Sequence, residues 1–230
     1  FAVNRKGNDG GLATFMKDGA TIGSIGAVSG NPFFANATTG GFKFGTSSGS
    51  TIVDPVNETG AVEDATHDLG SSGGRWRNLY LSSGVYLGGT GSANHLDDYE
   101  EGFHEPTVTM STSGSVTLST SFDRFSYTKI GRLVTITGNP RIDSVSSPVG
   151  GMTFTLPFTS ASGAADEKRS GFVVNYYDAS AGTGAHRKFV SGQVSDNANV
   201  VTLDLVNSHN NNITPASGDE VYFNFSYIVP

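Results

Sequence analysis

From Thr107 to the end of the chain, apolar and polar residues alternate with a period of two, the signature of strands with one buried face. Val116-Thr117-Leu118, Phe125-Ser126-Tyr127, Leu133-Val134-Thr135-Ile136-Thr137 and Met152-Thr153-Phe154-Thr155-Leu156 carry it, as do Phe172–Tyr177, Phe189–Val194 and Val201–Leu205. The last strand is the clearest: Val221, Phe223, Phe225, Tyr227 and Val229 share one face, with Tyr222, Asn224, Ser226 and Ile228 on the other. Strands of this kind, joined by Gly-, Asn- and Ser-rich turns, predict an antiparallel β-sandwich, jelly-roll-like, over 107–230. Its expected core is Leu133, Phe154, Leu156, Phe172, Val174, Leu203, Leu205, Phe223 and Phe225.

Residues 1–95 read differently. Leu12–Met16 and Ile22–Ile25 flank Asp18-Gly19, a strong hairpin signal, and short apolar pieces follow around Phe34, Phe42-Lys43-Phe44 and Ile52-Val53. Each piece offers two or three apolar side chains, too few to offset a backbone ordering cost of about 1–2 kcal/mol per residue. No fixed repeat period supports a solenoid. The expectation is therefore an intertwined β shaft in which several identical chains wrap about one axis, with Phe34, Phe42, Phe44, Leu79, Leu81, Tyr86 and Leu87 feeding a shared core. Between shaft and head, 96–106 concentrates charge in Asp97-Asp98-Tyr99-Glu100-Glu101 and His104-Glu105, and reads as an acidic hinge. His95, His104 and these carboxylates could in principle supply metal ligands, but their spacing matches no known site, so no metal and no cofactor is expected.

Composition narrows the rest. Charged residues are 15% of the chain, glycine supplies 31 of 230 positions, and the net charge is -7 with Lys and Arg scattered. Nucleic-acid binding, which needs clustered positive charge, is not expected. There is no cysteine, hence no disulfide. No apolar run reaches the ~18 residues of a membrane span, so no membrane insertion is expected. The start at Phe1, inside a strand-like stretch, reads as a fragment of a longer protein.

Three segments carry a resemblance: Lys17-Asp18-Gly19-Ala20-Thr21-Ile22-Gly23-Ser24-Ile25-Gly26, Asp68-Leu69-Gly70 through Arg75-Trp76-Arg77-Asn78-Leu79-Tyr80-Leu81, and Gly88-Gly89-Thr90-Gly91 through Gly102. Together with Phe125–Ile136 and Leu156–Ala161 they resemble tail fibres of tailed bacteriophages and prophages. The resemblance implies a homotrimeric virion component, joined to other tail proteins, that adsorbs to a host bacterial surface glycan or outer-membrane receptor. Related fibres often continue into a self-cleaving chaperone, which this chain lacks, so no protease activity is expected. Trp76, Leu79, Leu81 and Leu87 are then expected at a trimer junction.

Two head loops carry chemistry suited to sugars, where rings stack on apolar faces and amides pair with hydroxyls. Tyr176, Tyr177, His186 and Arg187 belong to the first, and His209, Asn210 and Asn211 to the second. The Gly45–Gly49 and Gly70–Gly74 matches to G-x-S-x-G lack the following helix a nucleophile elbow needs. No carboxylate pair stands out for glycoside hydrolysis. No enzyme activity is therefore expected. A capsule or O-antigen depolymerase fragment and a purely structural fibre spacer are the alternatives.

Overall fold

The structure is a computed structural model that describes residues 2–162, 170–181, 187–205 and 213–230. It is all-β: 18 strands and one short 3-10 turn at Ser92–Asn94, with no α-helix among the described residues. Contacts divide the chain into two units, Phe1–Leu79 and Tyr80–Pro230.

The first unit is a five-stranded antiparallel meander: β1 (Gly10–Lys17), β2 (Ala20–Val28), β3 (Asn31–Asn36), β4 (Gly40–Ser47) and β5 (Ser50–Val56), in sheet order 1-2-3-4-5. Three of its turns have two residues, both left-handed: Asp18-Gly19, Ser29-Gly30 and Ser48-Gly49. Those dihedrals match the right-handed twist of paired strands, which is why Asp-Gly and Ser-Gly punctuate this stretch. One face holds a small core of Phe33, Ala35 and Val56, with Val28 packed against it. On the opposite face Phe15, Phe34, Phe42 and Phe44 form a chain of ring contacts at 6.1, 6.2 and 5.7 Å. Each of these four remains 43–49% exposed.

The second unit begins with β6 (Val85–Tyr86) and β7 (His95–Leu96), which pair with each other. Then come β8 (Tyr99–His104), β9 (Val108–Met110), β10 (Ser113–Leu118), β11 (Phe125–Ile130), β12 (Leu133–Gly138), β13 (Ile142–Val149) and β14 (Met152–Thr155). β15 (Ser170–Tyr177), β16 (Arg187–Val194), β17 (Val200–Asp204) and β18 (Glu220–Ile228) complete it. Nine strands form one sheet, in order 8-11-12-18-15-16-17-14-9, and β10 and β13 form a separate pair. The large sheet curls into a half-barrel. β18 makes the curl possible: Glu220–Tyr222 pair with β15, and Phe223–Ile228 pair with β12. Phe125 on β11 and Phe154 on β14 lie far apart in strand order, yet their rings are 6.0 Å apart, and both are 5.0 Å from Phe223.

Most of the expected core is buried here: Phe154, Leu156, Val174, Leu203, Leu205, Phe223 and Phe225. Phe172 is half-buried, stacked at 4.1 Å on Phe225 over Gly192, where a Cβ would stand 2.5 Å from its ring. Leu133 is the exception. It faces outward, because Val134 and Ile136 pair across the ladder with buried Tyr227 and Phe225 and so fix the opposite phase of β12. The stretch read as an acidic hinge is, over Tyr99–His104, an edge strand bonded along its length to β11. Its carboxylates are tolerated because an edge strand keeps them at solvent or beside partners. Glu100 accepts from the Tyr127 hydroxyl at 2.5 Å and Glu101 from Tyr99 at 3.0 Å.

Candidate functional site

Alternation along β15 sends Tyr176 and Tyr177 to opposite faces. Tyr176 is fully buried among Phe223, Val174 and their neighbours, and its hydroxyl donates to Asp219 Oδ2 at 2.6 Å. Burial, and then the hydrogen bond to Asp219, push its phenol far above the ordinary range. Tyr176, expected as a receptor contact, is thus a core residue whose polar tip is satisfied internally. Its place follows from being in phase with Val174.

Two carboxylates hold the base of the turn that leaves β15. Asp219, completely buried, also accepts from Ala216 N at 2.9 Å and Ala179 N at 2.8 Å. Asp178 accepts from Ser180 N at 3.0 Å, Ser180 Oγ at 2.7 Å and Ala181 N at 3.0 Å, and from Lys188 Nζ at 2.5 Å. Burial alone would raise the Asp178 carboxyl, but the bonds from Lys188 and Ser180 outweigh it and hold the group below its usual range. Sequence patterning gave no sign of Asp219. A lone Asp after Gly218 reads as turn chemistry until the fold brings Tyr176 to it.

The outward face of β15, β16 and β18 carries the polar and aromatic groups that remain. Tyr177 sits between Arg187 on β16 and Glu220 on β18, and Asn175 sits between Phe189 and Tyr222. The Arg187 guanidinium lies 5.2 Å from the Tyr222 ring centre, a cation–π arrangement. The Tyr222 hydroxyl donates to Glu220 Oε2 at 2.6 Å, and Asn139 Nδ2 reaches the same oxygen at 3.4 Å. The hydrogen bond to Glu220, then partial burial, raise the Tyr222 phenol. Phe189 is 59% exposed, and Asn175 Oδ1, covered by its surroundings, accepts no hydrogen bond among the described residues. Rings, a guanidinium, a carboxylate and amides on one rigid sheet face match what a polyhydroxylated ligand needs. Of the expected loop residues, Tyr177 and Arg187 meet here. His186, His209, Asn210 and Asn211 lie outside the described residues. Tyr222, Phe189 and Asn175 were missed. Tyr222 already stood on the outward phase of the final strand, but its neighbours across the sheet were invisible without the strand order.

The junction residues do not pack into a core of their own chain. Trp76 is 69% exposed, and Leu79, Leu81 and Leu87 are exposed as well. Trp76 lies against Gly70, where a Cβ would be 3.3 Å from its ring, and Ser71 and Gly74 close a small turn by reciprocal backbone bonds of 3.0 and 3.2 Å. The acidic stretch is split among separate partners. Asp98 meets Lys129, Glu105 meets Arg124 at 3.0 Å, and His95 stacks on Tyr86 at 4.5 Å. Among the described residues, no three His, Asp or Glu side chains converge on a point where an ion could sit.

Compared with protein-family models, with curated proteins and with solved structures, the chain finds no match.

Proposed function

We propose that this chain is part of a homotrimeric bacteriophage tail fibre, a structural virion component, whose C-terminal unit adsorbs to a host-surface receptor, a glycan in the simplest case. The observation that carries the proposal is the exposed ladder of Phe15, Phe34, Phe42 and Phe44 on one face of the first sheet. Exposed contiguous apolar surface of this kind marks an interaction site, and copies of the same chain are the partner always present at stoichiometric concentration. Residues 65–84 add to it, since they pair with no strand and expose Leu69, Trp76, Leu79, Tyr80 and Leu81. A stretch of this length without secondary structure is uncommon in a compact domain. The placement on a virion rests on the resemblance of the Asp68–Leu81 and Lys17–Gly26 segments. The jelly-roll-like sandwich of related heads belongs to the same proposal, with the half-barrel as its framework.

The outward face of β15, β16 and β18 is the receptor surface in this reading. Sedimentation equilibrium of the full chain tests assembly, and a monomer at micromolar concentration would overturn it. Adsorption to host cells tests the surface: Tyr222→Ala and Arg187→Ala should each weaken it at least tenfold without changing the sedimenting mass. Unchanged adsorption in both variants would move the receptor site elsewhere.

A further inference from the structure

We propose that Lys129 and Asp98 condense to an intramolecular amide that staples the start of β8 to β11, a modification independent of the adhesion reading. Lys129 projects from β11 to the inner side of the sheet and is only 8% exposed, where a lysine seldom lies without a dedicated partner. Its Nζ contacts Asp98 Oδ2 and lies 5.8 Å from the centre of the Phe158 ring. Tyr127 packs edge-on against that ring at 5.3 Å, completing an aromatic wall. Glu100 is the direct cross-strand partner of Lys129, so the two side chains leave the same face with Cβ atoms about 5 Å apart. The Tyr127 hydroxyl holds Glu100 Oε1 at 2.5 Å. The ammonium therefore touches one carboxylate, Asp98, while a second, Glu100, is held by Tyr127 on the same face of the neighbouring strand, beyond ion-pair distance of Nζ.

That arrangement supplies each part of an amide condensation. Proton transfer within the contact turns ammonium and carboxylate into amine and acid, with no charge exchanged with solvent. The Nζ lone pair attacks Cγ of Asp98 and the Nζ–Cγ bond forms. A turn of the Glu100 side chain from Tyr127 toward Nζ lets it take a proton from Nζ and deliver it to a Cγ hydroxyl, the Cγ–O bond breaks and water leaves. Ammonium plus carboxylate gives amide plus one water, so no oxidant or co-reactant is required. Held in contact, the two groups gain the large effective concentration of an intramolecular reaction, and the half-exposed Asp98 side chain leaves water a way out. The staple would stand where the chain enters the nine-stranded sheet at its edge, the point from which a pull on the preceding residues would peel β8 from β11.

Intact-mass spectrometry of the denatured full chain tests the proposal. The expected mass is one water below the sequence mass, with fragmentation linking the peptide that holds Asp98 to the one that holds Lys129. Lys129→Arg and Glu100→Gln, the latter keeping an acceptor for Tyr127, should each run at full sequence mass while circular dichroism shows the fold intact. Wild-type protein at full sequence mass, both fresh and after prolonged incubation, overturns the bond. A lost water that persists in Lys129→Arg overturns it too, because it would mark dehydration at an aspartate alone. A cross-link surviving in Glu100→Gln overturns the part given to Glu100.

Discussion

Phe33 keeps its place in the first unit because two neighbours lack side chains. A Cβ on Gly26 would stand 2.4 Å from its ring, and one on Gly60 2.5 Å away. Gly26→Ala should therefore overpack the small core around Phe33 and cost about 1–3 kcal/mol in denaturant titration. Gly11→Ala, with nothing near its Cβ and no left-handed backbone, should stay within about 0.5 kcal/mol of wild type. Equal losses in the two would mean that Phe33 does not set the tolerance of this sheet. Asp219 makes the opposite kind of point, a polar group in the core that is stabilising because three donors reach it. Asp219→Ala leaves those donors unmet, at about 1–3 kcal/mol for each buried group that finds no water. Tyr176→Phe removes a single bond. The alanine variant should be clearly the less stable in thermal melts, and equal losses would confine the part played by Asp219 to the phenol.

At the level of strands, the seam between β8 and β14 depends on His104. Its Nε2 reaches Thr155 O at 3.1 Å and Thr155 Oγ1 at 3.2 Å, and Thr107 N donates to the same Oγ1 at 2.9 Å. Burial lowers the His104 imidazole below its ordinary value, despite the bond to Thr155 and the nearby charge of Glu105. The unfolded chain then binds the proton first as pH falls, so stability declines from about pH 6.5 downward. Asp178 acts through the opposite shift. Its depressed carboxyl contributes stability above about pH 4 that is lost as pH falls through the folded value. Denaturation midpoints between pH 8 and pH 3 should fall in two steps, the first absent in His104→Gln and the second reduced in Asp178→Asn. These seams also mark how far the sequence could be read. Period-two alternation gave the inward residues of β14, β17 and β18 and of β15 apart from Tyr176, because in each strand one phase is the more continuously apolar. Leu133-Val134 offers two, and only pairing with Tyr227 and Phe225 decides between them. The same limit governed the candidate site. Tyr177 and Arg187 could be named from local chemistry, whereas Tyr222 and Asp219 depend on β18 lying beside β15. Tyr176 was misplaced because loop chemistry was weighed at a position the alternation had already turned inward.

For the whole molecule the decisive contrast is between two sheets that treat their aromatic residues differently. In the second unit Phe125, Phe154 and Phe223 meet inside a curled sheet and are almost fully buried, so that unit has an apolar core of its own. The buried apolar cluster of the first has three residues, with Val28 beside it, while four phenylalanines stay at its surface. Burial in a single chain thus gives the second unit a large core and the first a small one, and the proposed assembly would cover Phe15, Phe34, Phe42 and Phe44. For an ordinary solvated surface, Phe42→Ser would leave stability within about 0.5 kcal/mol of wild type and the sedimenting mass unchanged. If copies of the chain cover the ladder, each removed ring is lost from every copy, at about 25 cal/mol per Å² of apolar area withdrawn from water. Phe42→Ser should then shift the sedimentation profile toward monomer and make the melting temperature rise with protein concentration. Trp76→Ala should do the same while leaving adsorption through the Tyr222 face intact once the protein is concentrated enough to assemble. Loss of adsorption by an assembled Trp76→Ala protein would assign the tryptophan to the receptor instead of the junction.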